Sequence, residues 1–248
     1  MDVFNIRLEF DPKVIDATIE RCIRERRKAS ISVVDGNVLA IAQQDLQYRE
    51  IIRNTTVNAC DGSSIAVMVK KIYGGEPQVY AGPELFLNYI ERPYRHVLLG
   101  NTRAKVEKIR AAAAEKGIAL DMQHVDLPFV GVEAFDYKAI AARINEIQPD
   151  IVWVSLGAPK QETFIANILP YVDQGVFIGI GAAFSFYTGE LHRTNKTVGG
   201  LRLRWLERIF KEPRKQLKRV GNILLTLPKM YREEKKRAKK LAKHEDLG

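Results

Sequence analysis

The chain has 248 residues, of which 46% are hydrophobic, and a formal net charge of +9. This is the size and composition of an ordinary globular protein. Two cysteines, Cys22 and Cys60, provide neither a disulfide framework nor a metal-ligand cluster, and the four histidines are scattered. No secretory signal is recognisable, and no stretch approaches the ~20 apolar residues that span a bilayer. We therefore expect a cytoplasmic protein without a metal site.

The predicted elements alternate between short apolar runs and helical patterns. The runs predicted as strands cover residues 31–34, 56–59, 96–100, 118–122, 150–156 and 176–180. The helical patterns cover residues 38–49, 63–73, 102–116 and about 133–147, and another follows residue 160. Such alternation indicates crossover units. We predict an α/β, Rossmann-like, mainly parallel sheet with helices on both faces.

The positive charge is concentrated after this region. Residues 201–243 hold 16 Lys and Arg against 4 Asp and Glu, whereas residues 1–200 hold 23 against 24. Helical spacing of apolar residues there predicts two helices, one before Pro213 and one ending at Pro228, followed by a frayed basic run. The sequence thus predicts an α/β catalytic domain, residues 1–200, and a basic amphipathic appendage, residues 201–248.

Two predicted strands end in loops of small residues. Residues 151–156 run into Gly-Ala-Pro-Lys-Gln-Glu at 157–162, and residues 176–180 run into Gly-Ala-Ala-Phe at 181–184. In an open parallel sheet these loops meet at the carboxyl edge, where ligands bind, and small residues let backbone N–H groups approach a phosphate. We expect the ligand site here. The alternative is that the glycines serve only the geometry of the turns.

Several polar residues that follow predicted strands suit a ligand-binding site. Asp61 follows a predicted strand and suits either a general base or the N-cap of the next helix. The Gln161 amide suits sugar hydroxyls, and we expect its side chain to have no core to fill. Lys160 suits a phosphate. Glu162 suits a carboxylate that fixes the loop or complements the first turn of the helix.

These motifs resemble the WecG/TagA/CpsF glycosyltransferase family (glycosyltransferase family 26). The resemblance rests on the 157–162 loop, on Gly-Ile-Gly-Ala-Ala-Phe-x-Phe-x-x-Gly at 179–189, on Asp61-Gly62 and on the Trp-Leu-x-Arg and Glu-Pro-Arg run at 205–214. It implies inverting transfer of N-acetylmannosamine, its uronic acid or a hexose from a UDP-sugar to a polyprenyl-diphosphate-linked sugar in surface polysaccharide synthesis. It further implies Asp61 as the base, no cofactor and no required metal.

The predicted site residues fall into two groups. Those predicted to bind the donor lie near the ends of predicted strands, and they are Asp35, Asn37, Gly100, Gly157, Pro159, Lys160, Gln161, Glu162, Gly181 and Ser185. Those predicted to meet a diphosphate or the membrane are Arg193, Trp205, Arg208, Arg214, Lys215 and Arg219. Arg208 and Arg214 are the first choices, because they coincide with arginines of the family pattern.

The sequence departs from the family pattern at several positions. The pattern's Thr-x-Asn is Val33-x-Asp35 here, its Arg-Val-x-Gly begins at Val79, and the Asp of its Asp-Phe pair is Ser185. These departures leave the identity of the sugar nucleotide open. They also suggest an alternative, a catalytically weak nucleotide-sugar-binding scaffold at the membrane.

The basic appendage is interpreted as a membrane-docking segment. Trp205, Phe210 and several leucines lie among basic residues, as in helices that bind anionic membrane surfaces. The alternatives are a solvated charged helix and a helix pair that only packs on the body. No nucleic-acid-binding module is recognisable, so nucleic acid is not an expected partner. We expect a peripheral protein at the inner face of the cell membrane, and the sequence leaves open whether it forms a homo-oligomer.

Overall fold

The structure is a computed structural model, and it describes only part of the C-terminal segment. Its backbone covers residues 1–190, 197–198, 201–202 and 213–245, and after residue 190 its side chains cover residues 217 and 219–243. Arg193, Trp205 and Arg208 therefore lie outside the described residues, as do the side chains of Arg214 and Lys215. The predictions on these five residues stay predictions.

A parallel sheet forms the centre of the fold. After an N-terminal hairpin of β1 (Asp2–Val3) and β2 (Ile6–Arg7), the sheet strands are β3 (Lys28–Val34), β4 (Val57–Cys60), β5 (His96–Leu99), β6 (Met122–Val125), β7 (Ile151–Val154) and β8 (Gly175–Gly179). Their order is β4-β3-β8-β7-β5-β6, and all neighbours run parallel. A further two-stranded pair joins β9 (Thr197–Val198) to β10 (Leu201–Arg202). The predicted mainly parallel sheet is confirmed.

Helices cover both faces of the sheet. They are α1 (Pro12–Arg24), α2 (Gly36–Gln44), α3 (Leu46–Arg53), α4 (Ser63–Tyr73), α5 (Gly82–Ile90), α6 (Arg103–Ala114), α7 (Tyr137–Ile147), α8 (Lys160–Ile168), α9 (Ala183–Tyr187) and α10 (Pro213–Glu245). Alternate residues of β7 enter different cores. Ile151 and Trp153 pack with α1, α5 and α6, whereas Val152 and Val154 pack with α7 and α8. This two-sided burial explains why the strand is uniformly apolar.

Two predicted elements differ in the structure. The helix predicted over residues 38–49 is divided at Asp45, whose Oδ1 accepts a 3.0 Å hydrogen bond from the Tyr48 N–H and caps α3. The strand predicted over residues 118–122 begins only at Met122, because Gly117 ends the preceding turn with φ +73°. Helices α1 and α5 were not predicted. Their apolar residues pack into the sheet without a preceding strand pattern that would have marked them.

The last helix contradicts the prediction that Pro228 ends it. Helix α10 runs for 33 residues through Pro228, and the basic run expected to fray is helical to Glu245. Pro228 removes one backbone donor, but the body holds the helix beyond it. Met230 is buried in a core cluster, and the buried Glu234 carboxylate accepts hydrogen bonds from the Phe4 N–H at 3.0 Å and the Tyr73 hydroxyl at 2.6 Å. Tertiary contacts thus outweigh the local cost of the proline.

Candidate active site

A cavity of about 1110 Å³ opens where the carboxyl ends of β3, β4, β5, β7 and β8 meet α10. It contains many of the predicted site residues. Its lining includes Asp35, Asn37, Asp61, Gly157, Pro159, Gln161, Gly181, Ser185 and Arg219. Residues up to 184 positions apart in the chain therefore share one space, at the edge of the sheet where ligands of open α/β folds bind.

Asp61 lies at the end of β4. Its backbone N–H donates to the Val34 carbonyl at 2.9 Å, which holds it beside the end of β3. Its side chain is partly exposed and lines the cavity. The N-cap position of α4 is Gly62 rather than Asp61. The carboxylate therefore lies at the carboxyl edge of the sheet, in the cavity wall.

Asp35 connects the sheet edge to the C-terminal helix. Its Oδ1 accepts the backbone N–H groups of Asn37 and Val38, both at 2.9 Å, and so caps α2. Its Oδ2 accepts a 2.6 Å hydrogen bond from Arg219 Nη2 on α10. Both side chains are only partly exposed, at 31% for Asp35 and 26% for Arg219. The pair fixes a guanidinium, which suits phosphate oxygens, at the cavity wall.

Asn37 offers polar atoms to the cavity. The residue is 5% exposed and lines the cavity wall. Within the described part of the chain, its side-chain amide makes no hydrogen bond. The amide is open to water because the residue lines the cavity, so it can donate to and accept from a ligand there.

Gln161 braces the two loops of small residues. Its Oε1 accepts hydrogen bonds from the Gly157 N–H and the Gly181 N–H, both at 3.1 Å. These glycines adopt φ values of +76° and +54°, which side chains with a Cβ disfavour. Gln161 is 4% exposed, so the expectation that it has no core to fill is wrong. Its amide forms hydrogen bonds within the protein, and by holding the two loops it shapes the wall of the cavity.

The hydrogen-bond network of Gln161 extends to the buried carboxyl group of Glu162. Gln161 Nε2 donates to Glu162 Oε1 at 2.7 Å, and the Tyr48 hydroxyl donates to Glu162 Oε2 at 3.0 Å. Burial raises the pKa of Glu162, while the hydrogen bonds from Gln161 and Tyr48 oppose this effect. Burial, followed by the charge of Glu162, raises the pKa of Tyr48, so its hydroxyl stays a donor. Glu162 therefore fixes the loop, as one of its two interpretations proposed.

The structure does not bring Lys160 and Gly100 to the cavity wall. Lys160 Nζ donates to the Val130 carbonyl and lies 5.0 Å from the centroid of the Phe135 ring. This placement does not support the predicted phosphate contact. Gly100 has φ +78°, and a Cβ there would lie 2.9 Å from the Ser155 carbonyl oxygen. Its described role is the close packing of two strand ends.

Two charged residues of the cavity were missed at the sequence level. Lys105 Nζ donates to Ser185 Oγ at 3.1 Å and to Glu190 Oε2, and all three residues line the cavity. Lys108 donates to Glu190 Oε1 at 2.7 Å from the exposed side. Hydrogen bonds from Lys105 and then Lys108 lower the pKa of Glu190 to about 2. Lys105 lies in an Ala-rich helical pattern 80 residues before Ser185, so no local signal marked it.

A metal centre is not evident in the described part of the chain. There, no group of three or more His, Cys, Asp or Glu side chains is arranged to hold a metal ion. Among the described helices, none combines the length and the apolar character needed to cross a bilayer.

Comparison with known proteins identifies the family. The sequence profile of the glycosyl transferase WecG/TagA/CpsF family matches residues 1–240. The chain belongs to this family. The match spans the sheet, the cavity and most of α10, so the WecG/TagA/CpsF assignment covers every described element that lines the cavity.

Two curated relatives of this WecG/TagA/CpsF member come from Bacillus. Both are named N-acetylglucosaminyldiphosphoundecaprenol N-acetyl-beta-D-mannosaminyltransferase. The protein from Bacillus subtilis (strain 168) is 24% identical over 208 residues, which cover 80% of this chain and 78% of the relative. The protein from Bacillus spizizenii (strain ATCC 23059 / NRRL B-14472 / W23) is 27% identical over 181 residues, which cover 69% and 67%.

Proposed function

We propose that this chain transfers a sugar from a UDP-sugar to a polyprenyl-diphosphate-linked sugar in surface polysaccharide synthesis. N-acetylmannosamine is the first donor sugar to test, because both Bacillus relatives are named for its transfer to N-acetylglucosaminyl-diphosphoundecaprenol. The observation that carries the proposal is the cavity itself, which combines the Asp61 carboxylate, the Asn37 amide, the two glycine loops and the Arg219 guanidinium.

The proposed reaction is a single inverting displacement. Asp61 accepts the proton of the acceptor hydroxyl, whose oxygen attacks the anomeric carbon of the donor. The bond from that carbon to the diphosphate breaks, and UDP leaves with the electron pair. Arg219 offers its remaining N–H donors to the diphosphate. Arg208, which precedes α10 in the chain, and Arg214, the second residue of α10, are proposed to assist. Charge that develops on the leaving group is thereby neutralised.

A transfer assay tests the proposal. The full chain is incubated with a panel of UDP-sugars and a polyprenyl-diphosphate-linked N-acetylglucosamine, with and without EDTA. We expect UDP release that requires both substrates and that EDTA leaves unchanged. Donor binding without turnover would favour the alternative of a nucleotide-sugar-binding scaffold. Loss of transfer in EDTA would contradict the proposed metal independence.

We further propose that α10 docks the enzyme on the inner face of the cell membrane. Leu217, Leu224 and Leu225 are 62%, 67% and 82% exposed, although they are large apolar residues. Leu225 also lines the cavity, so the apolar surface adjoins the space that receives the acceptor. Nine Lys and Arg against two Asp and Glu in residues 219–243 would add attraction to anionic lipid. A lipid-linked acceptor would then reach the cavity without leaving the bilayer.

The double substitution Leu217→Ser and Leu224→Ser is expected to weaken binding to anionic liposomes by about tenfold or more, because each exposed leucine contributes apolar burial at the headgroup level. Liposome sedimentation measures the effect. Leu241→Ser is the matched control, since Leu241 is 51% exposed on the same helix but follows the cavity-lining Leu225 by 16 residues, whereas Leu224 is its neighbour. Equal sedimentation of the double variant and the wild type would contradict docking through this surface.

A further inference from the structure

Lys105 is held at the cavity wall by residues that also line it. It projects from the first turn of α6, directly after the end of β5, and its side chain is only 17% exposed. Ser185 and Glu190 each accept one of its three N–H donors. Within the described residues, the third donor has no partner. An ammonium group kept near an open cavity with one donor to spare is suited to an anionic ligand.

The charges around Lys105 support this interpretation. Among the described lining residues, the cations are Lys105 and Arg219, and the carboxylates are Asp35, Asp61 and Glu190. Arg219 is paired with Asp35. Glu190 accepts hydrogen bonds from two ammonium groups, that of Lys105 and that of Lys108. At the cavity wall Lys105 and Glu190 therefore balance each other, and Lys108 adds a positive charge to Glu190 from the exposed side.

The identity of residue 185 affects the charge next to Lys105. The Ser185 hydroxyl accepts from Lys105 at 3.1 Å without adding negative charge. An aspartate at this position would place a second carboxylate beside the ammonium and neutralise the cluster. With serine at position 185, Glu190 is the one carboxylate among the described residues that contacts Lys105.

We propose that Lys105, positioned by Ser185 and Glu190, binds an anionic oxygen group of the nucleotide-sugar donor. This inference rests on the proposed function and adds a donor-recognition residue to it. The anionic group is a phosphate of the diphosphate or a carboxylate on the transferred sugar. Glu190 accepts a hydrogen bond from the ammonium group. The ligand accepts from the third N–H donor or displaces the Glu190 carboxylate.

Binding measurements with matched ligands and variants test the inference. Dissociation constants are measured by calorimetry for uridine, UMP, UDP, a UDP-hexose and the corresponding UDP-hexuronate, with the full chain. Lys105→Met removes the charge and keeps the aliphatic length. Lys105→Arg retains the charge. Lys108→Met is the matched control, because Lys108 contacts the same Glu190 from α6 but is 61% exposed and does not line the cavity.

If a phosphate is the partner, we expect Lys105→Met to weaken the binding of UDP and of both UDP-sugars by about tenfold or more, while the binding of uridine is unchanged. If the sugar carboxylate is the partner, we expect Lys105→Met to weaken the binding of the UDP-hexuronate alone. In either case Lys105→Arg retains part of the affinity, and Lys108→Met stays within about threefold of the wild type. Melting temperatures confirm that each variant is folded.

Two results would count against these proposals, and they differ. Wild-type affinity of folded Lys105→Met for every ligand would overturn the role of Lys105 and leave the proposed function standing. Failure of the wild type to bind UDP and both UDP-sugars would contradict the proposed function itself, and the role of Lys105 would fall with it.

Discussion

Replacing Asp61 by Asn is expected to lower the rate of sugar transfer by at least about 100-fold, since general-base assistance contributes roughly 10²–10⁴-fold. The amide has nearly the same shape as the carboxylate but cannot accept the proton of the acceptor hydroxyl. Asp61 lines the cavity at the end of β4, so the change falls at the reacting end of the site. UDP binding is expected to stay within about threefold, because the proposed role concerns the acceptor. Initial rates and calorimetry measure the two quantities.

Asp45→Asn provides the control for this experiment. Asp45 is also an aspartate that precedes a helix, but it lies between α2 and α3, caps α3 and does not line the cavity. Asparagine caps helices about as well as aspartate, so transfer and stability should both be retained. If Asp61→Asn folds normally and turns over like the control, Asp61 has a structural role and the base must be sought elsewhere in the cavity.

The second large effect is expected for Gln161→Ala. This change removes the acceptor of the Gly157 and Gly181 N–H groups and one donor to the buried Glu162. A buried group left without a partner costs about 1–3 kcal/mol, and this applies fully to Glu162. The two glycine N–H groups are only partly buried at the cavity wall and lose less, so the free energy of unfolding should fall by roughly 2–5 kcal/mol. For a chain of this size the melting temperature should fall by about 5–15 °C. The loosened loops should also raise the KM for the donor.

Thr163→Ala is the matched control for Gln161→Ala. Thr163 lies on the same helix, and its hydroxyl donates to the Pro159 carbonyl at 3.0 Å in an exposed position. It should change the free energy of unfolding by less than about 1 kcal/mol. Thermal unfolding and donor kinetics are measured on both variants. A Gln161→Ala protein with wild-type melting temperature and raised donor KM would show that Gln161 acts as a direct ligand contact and not as a brace.

Much of the fold was predictable because its signals are local. Apolar runs that alternate with helical patterns specify a two-sided parallel sheet, and helix α4 was predicted with its observed bounds, Ser63–Tyr73. The carboxyl edge was predictable for the same reason, since loops that follow parallel strands must lie at one edge. The motifs at 157–162, 179–189 and 205–214, with Asp61-Gly62, led to the WecG/TagA/CpsF family, which the profile match confirms.

The directions in which the polar side chains point were not predictable. Lys160, Gln161 and Glu162 are consecutive in one loop, yet Lys160 reaches Val130 while Gln161 and Glu162 turn into the interior. Successive residues at a helix start point about 100° apart, and which direction meets the cavity depends on how α8 packs against the sheet. A loop motif therefore identified the site without distinguishing a ligand contact from a brace.

The sequence by itself determined the sheet, the edge at which its loops meet, the family and the basic character of the C-terminal segment, because each is encoded by residues that are near one another in the chain. The features that depend on long-range contacts were decided only by the tertiary structure. These include the continuation of α10 through Pro228, which depends on Phe4 and Tyr73 binding Glu234, and the pairing of Lys105 with Ser185 and Glu190. Such contacts form only when folding brings distant segments together, so the spacing and the types of residues along the chain do not predict them.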